Sequence, residues 1–272
     1  MDLLQFAFFR NALIGSLFTC ISCGIAGSYI VSRRLVFISG GITHASFGGL
    51  GLGFYLGISP ILSALLFSVA SVFGIEWLSK KQDIREDSAI AAFWALGMAL
   101  GVICIFLTPG YSPNISAYLF GNILTITQLD LIFSGTLAVF LSILFLIFFK
   151  PVLYTAFDAE FAKTQGVKVA LIEHLMMLAI AVTIVSSIRL IGIMLLMSLL
   201  TIPQITANLF TSRMKKIILY SIGLGITGCI SGLFLSYYLN VPSGATIIFV
   251  QILIFLVCKT TIFICKKTIK RA

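Results

Sequence analysis

Residues 35–57 read LVFISGGITHASFGGLGLGFYLG, a 23-residue stretch in which His44 is the one ionisable side chain buried deep in the run. As a helix rising 1.5 Å per residue it is about 34 Å long, enough to cross the hydrocarbon core of a bilayer. Runs of comparable length and polarity recur at 9–31, 60–78, 88–108, 128–149, 169–188, 190–210, 217–239 and 244–265. Overall 60% of residues are hydrophobic and 10% charged. Water-soluble domains carry about 25% charged residues, so this composition excludes an ordinary soluble enzyme or binding module. The sequence predicts an all-α, polytopic membrane helix bundle of about nine transmembrane helices, with 1–272 forming a single transmembrane domain. The residues before the first run include Asp2 and no basic side chain, so Phe8 to Val31 reads as a retained span rather than a cleaved signal.

The net charge of +9 follows the topology and does not point to nucleic acid. With Arg33 and Arg34 placed in the cytoplasm, alternation of nine spans puts 16 of the 18 lysines and arginines on that side, leaving Arg10 and Arg189. This is the positive-inside pattern, and it predicts an outside N-terminus and a cytoplasmic C-terminus in the cell membrane. The six cysteines lie in or at the ends of apolar runs, which argues for packing and against a disulfide framework.

Two segments are not simple spans. Ser112 to Thr127 is too short to cross and reads as an outer-surface or re-entrant helix. Between the fifth and sixth spans, Asp158 is a good N-cap and Gly166 a good C-terminal stop, predicting a two-turn cytoplasmic helix over 158–166. It is either a solvated loop helix or a docking element for a cytoplasmic partner.

Inside the membrane three features stand out. Pro203 interrupts the seventh span and deprives the Leu199 carbonyl of its helical donor, which predicts a kink. Thr201, Gln204 and Asn208 form a polar stripe around it, suited to interhelical hydrogen bonds or to lining a translocation pathway. On the second span, His44 has Gly40, Gly48 and Gly51 at minus four, plus four and plus seven, an open face that admits a hydrated ion or another helix. Neutral imidazole is a common ligand for first-row metals, and a single ligand suits a pathway that must also release its ion. The alternative is a histidine hydrogen-bonded to a neighbouring helix. On the eighth span Ser221, Gly225, Gly228, Gly232 and Ser236 make a small-residue face for close helix packing.

Taken in order, Gly41-Ile42-Thr43-His44-Ala45, Phe120-Gly121-Asn122-Ile123-Leu124, Phe157-Asp158-Ala159-Glu160-Phe161-Ala162, Leu199-Leu200-Thr201-Ile202-Pro203 with Thr206-Ala207, and Pro242-Ser243-Gly244-Ala245-Thr246 resemble the metal-type permeases of ATP-binding-cassette importers. These carry zinc, manganese or iron and are related to cobalamin and siderophore permeases. The resemblance implies a homodimer of the permease in lipid, an extracytoplasmic metal-binding protein, and an ATP-binding subunit dimer docked on a coupling helix that includes Asp158, Glu160, Phe161, Ala162 and Gly166. It also implies that His44 contacts the metal, and it calls for no resident cofactor and no catalytic residue. The chain departs from the family pattern at Gly40 and Asn240, where aspartates are usual. A siderophore or other chelate importer is the alternative of the same architecture. An ion-coupled secondary transporter should show paired intramembrane carboxylates, an intramembrane enzyme should show a nucleophile with its base, and neither pattern is found. The sequence also has no Gly-x4-Gly-Lys-Ser/Thr phosphate loop, so ATP hydrolysis must be supplied in trans.

Overall fold

The computed structural model describes residues 5–109 and 126–269. The expected Ser112–Thr127 helix and the Phe120–Leu124 motif lie wholly or almost wholly outside them. The described residues form helices α1 (Ala7–Ser32), α2 (Val36–Leu56), α3 (Pro60–Lys81), α4 (Glu86–Leu107), α5 (Gln128–Ile147), α6 (Phe149–Phe157), α7 (Ala159–Thr164), α8 (Val169–Leu199), α9 (Ile202–Asn208), α10 (Met214–Leu239) and α11 (Ser243–Ile269). Among them, eight stretches are long and apolar enough to cross a membrane, with Val169–Ile188 and Leu190–Asn208 counted separately. The expected second span, α2, is also helical over 21 residues but is not one of these eight. Most of its residues are buried against protein rather than facing lipid.

The sixth and seventh spans divide where expected, at Ile188 and Leu190. Helix α8 runs through this boundary and is interrupted at Gly192, whose φ of 74° and ψ of 167° are essentially reserved for glycine. The polypeptide breaks again at Thr201, and Pro203 sits in the first turn of α9 rather than within a kinked long helix. Proline is tolerated in a first turn because the N–H it lacks would have no helical acceptor there. The fifth span is likewise extended by a separate short helix, α6, which the sequence did not suggest.

Two packing groups meet at α8. α2 lies between α3 and α4 and also touches α8, while α1 packs on α5, α8 and α10. The small-residue face of α10 is buried as expected: Gly225 faces Cys20 of α1, and Gly228 and Gly232 face Gln251 and Ile247 of α11. Cys20 and Cys229 meet in this contact with sulfurs 3.6 Å apart, and all six cysteines are free.

Candidate functional site

The closest backbone approach around His44 is between α2 and α4. A Cβ added at Gly48 would lie 2.8 Å from the Gly97 carbonyl oxygen, and one at Gly51 would lie 2.5 Å from that of Gly101. Of the two occupants that the open face of α2 admits, a helix is therefore the one present here. Gly48 and Gly51 can line a pathway only if α2 and α4 part. One turn before Gly97, Trp94 lies across the turn of α2 that carries Gly40 and His44. Its indole stacks on the His44 imidazole with centroids 4.2 Å apart and planes 11° off parallel. A Cβ on Gly40 would come within 3.2 Å of the same indole and 3.0 Å of the Met197 methyl of α8. His44 is half-buried, and its Nδ1 is enclosed with no hydrogen-bond partner among the described residues.

The polar stripe of the seventh span separates into different environments. Gln204 is fully buried, and its Nε2 donates to the Leu199 carbonyl at 3.0 Å and to the Cys23 carbonyl of α1 at 2.9 Å. The carbonyl that Pro203 leaves without a helical donor is thus satisfied by the next side chain. Thr201 donates back to the Met197 carbonyl, and Asn208 is exposed near the end of α9. Asn240 caps α10 in the left-handed conformation at φ 52°, a position asparagine tolerates well.

The predicted cytoplasmic helix is α7, six residues long and so just under two turns. Asp158 accepts the Phe161 N–H at 2.9 Å as N-cap. At the other end Val167 N–H bonds the Ala162 carbonyl and Gly166 N–H bonds that of Lys163, both at 3.0 Å, with Gly166 at φ 73°. This paired closure is a Schellman motif, for which glycine is the favoured residue. Ala162 is buried, Glu160 pairs with Lys163, and Phe157 and Phe161 are 61% and 46% exposed, leaving two aromatic side chains available to a partner. Tyr154 of α6 holds Phe161 edge-on at 5.3 Å.

A cleft of about 290 Å³ opens among α1, α2, α3, α4 and α8 and is lined in part by Arg33, Ile38, Glu76, Glu86, Glu173 and Met177. Arg33 spans three elements: it pairs with Glu173 at 2.5 Å and donates to the Thr155 carbonyl at 2.8 Å. His174 Nε2 lies 3.2 Å from Glu76. The carboxylates Glu76, Glu86 and Glu173 come from three different helices, so nothing in their spacing along the sequence shows that they share a cleft. Trp94 was missed as well. Its one signal was its place ahead of Gly97 and Gly101, whose spacing marks a face for close approach.

A sequence model described as the ABC 3 transport family matches residues 5–262. The chain is 38% identical to an uncharacterized membrane protein of Synechocystis sp. over 93% of this chain and 90% of the relative. It is 31% identical to the manganese transport system membrane protein MntC of Listeria innocua, over 94% of this chain and 91% of that one. Among solved structures, that of PsaBC from Streptococcus pneumoniae in complex with Fab superposes with a TM-score of 0.86 at 30% identity, covering 94% of this chain and 92% of that one. Similarity of this extent runs through α1 to α11, including the turn of α2 that carries His44 and the capped α7, and the chain belongs to the ABC 3 transport family.

Proposed function

We propose that this chain is the permease subunit of an ATP-driven importer of a divalent transition metal ion, with manganese the first candidate and zinc or iron the alternatives. The observation that carries the proposal is His44, a half-buried imidazole near the middle of a membrane-embedded helix, in a chain whose relatives include manganese transport permeases. An ionisable group at that depth is costly unless it serves a pathway. Its face is bounded by Trp94 and by the glycine contacts of α4, a narrow setting that suits a bare ion better than a bulky chelate.

In this scheme the exposed aromatics of α7 dock in an ATP-binding subunit, two copies of the permease assemble in the membrane, and an extracytoplasmic metal-binding protein delivers the ion. The N-terminus lies outside and the basic loops lie inside. Gly40, Thr201, Pro203, Gln204 and Asn208 stay with the pathway as hypotheses, with Gln204 serving it by bracing the break between α8 and α9.

Uptake of radioactive manganese and zinc by cells expressing His44→Ala and His44→Gln tests the central claim. Both variants should reach the membrane at parental level and lose most uptake, because glutamine hydrogen-bonds but ligates these metals poorly. Normal uptake by His44→Ala would falsify the ligand role. Uptake of a ferric chelate but of no free ion would favour the chelate alternative.

A further inference from the structure

A metal-ligating histidine ordinarily has its ring held by a hydrogen bond from the nitrogen that does not bind the metal. His44 has no such bond among the described residues, since its Nδ1 is enclosed and unpartnered. Something else must set the ring's orientation. Resting on the function proposed above, we infer that Trp94 is the positioning residue of the His44 site: its indole face fixes the imidazole plane and leaves Nε2 as the nitrogen that meets the ion.

Four features support this. The rings lie 4.2 Å apart and within 11° of parallel, so tilting the imidazole out of this plane about Cβ–Cγ loses the contact. The indole can lie there because Gly40 has no side chain: a Cβ at that position would press on both Trp94 and Met197. α4 can come that close because Gly97 and Gly101 rest on the backbone of α2. With Nδ1 sealed, coordination through that nitrogen would require the stack to open. Gly40 and Trp94 therefore act together, the one making room and the other filling it, and an aromatic wall stands where a side chain at position 40 would reach toward the ion.

The chain has two tryptophans, Trp77 and Trp94, and Trp77 is 51% exposed on α3, away from this cluster. Trp77→Phe makes Trp94 the sole tryptophan, which can be excited at wavelengths where tyrosine does not absorb. In purified Trp77→Phe permease in lipid nanodiscs, cobalt(II) or manganese(II) should quench Trp94 saturably, and the quench should vanish in Trp77→Phe/His44→Ala. The second arm uses uptake. Trp94→Phe keeps a flat ring and should hold metal uptake within about threefold of the parent, whereas Trp94→Leu, apolar but without a face, should lose about tenfold or more, a span in keeping with an aromatic stack. In a His44→Ala background the same Trp94→Leu change should have no further effect, because a positioning residue acts only through what it positions.

Equal uptake by the Phe and Leu variants, or a Leu effect that persists undiminished without His44, overturns the positioning role. So does an absence of quenching in a protein that transports the metal. If His44→Ala itself transports normally, the proposed function fails instead, and the two failures are distinguishable.

Discussion

Gln204→Leu tests the break between α8 and α9. Leucine has similar bulk but cannot hydrogen-bond. In an unbroken helix the Leu199 carbonyl would accept from residue 203, and Pro203 has no N–H, so Gln204 Nε2 at 3.0 Å takes that place. The second acceptor, the Cys23 carbonyl at 2.9 Å, lies within α1 and keeps its own helical bond. The two losses are therefore unequal: about 1–2 kcal/mol for Leu199, left buried without a donor, and roughly 0.5 kcal/mol for Cys23. Gln204 Oε1 is itself buried without a donor among the described residues, and removing it recovers about 1 kcal/mol. The expected net destabilisation is about 1 kcal/mol. The sharper quantity is the coupling to Pro203. Pro203→Ala adds an N–H that reaches Leu199 once α8 and α9 rejoin across Thr201, and losing Gln204 favours that rejoining, so Pro203→Ala/Gln204→Leu should be more stable than the sum of the single changes by about 1 kcal/mol. Unfolding by dodecyl sulfate in mixed micelles, monitored by circular dichroism, measures the parent and the three variants. Additivity within about 0.5 kcal/mol refutes the bridging role of the Gln204 amide.

Gly51→Ala would set its Cβ 2.5 Å from the Gly101 carbonyl oxygen, a backbone atom that cannot rotate away, so α2 and α4 must separate at a cost of about 1–3 kcal/mol. Gly223→Ala on α10, where nothing lies within 4 Å, is the control and should be neutral or stabilising in the same dodecyl sulfate unfolding measurement. Asp158→Ala removes the α7 N-cap, and Gly166→Ala strains its closure at φ 73°, each by about 1 kcal/mol. Both should lower uptake and its coupling to ATP hydrolysis while leaving the amount of protein in the membrane unchanged; unaltered uptake in both would remove α7 from the coupling step. A single cysteine at Ser243 in a cysteine-free background should react with an impermeant thiol reagent in intact cells, and one at Thr164 should not. The reverse pattern inverts the proposed orientation.

Helix positions, the α7 caps and the buried small-residue face of α10 were legible in the sequence because each depends on local chemistry: run length, a capping aspartate, a glycine able to take positive φ, and the i to i+4 spacing of small residues. His44 was legible for a related reason, since an ionisable group in an apolar run is conspicuous in one dimension. Long-range contacts were not. Which partner would take up the Leu199 carbonyl could be posed from Pro203 but not answered, since Gln204 had equally good reasons to face a pathway or a neighbouring helix. The cleft carboxylates Glu76, Glu86 and Glu173 come from α3, α4 and α8, and nothing in their spacing along the chain brings them together. The pairing of His44 with Trp94, 50 residues apart, exists because two glycine faces let α2 and α4 touch backbone to backbone. The sequence by itself marked the α2 face as a place for close approach and did not single out the α4 face. Only the tertiary structure decided what approached, because van der Waals contact between helices in lipid has no pattern of its own along the chain and depends on which two surfaces fit.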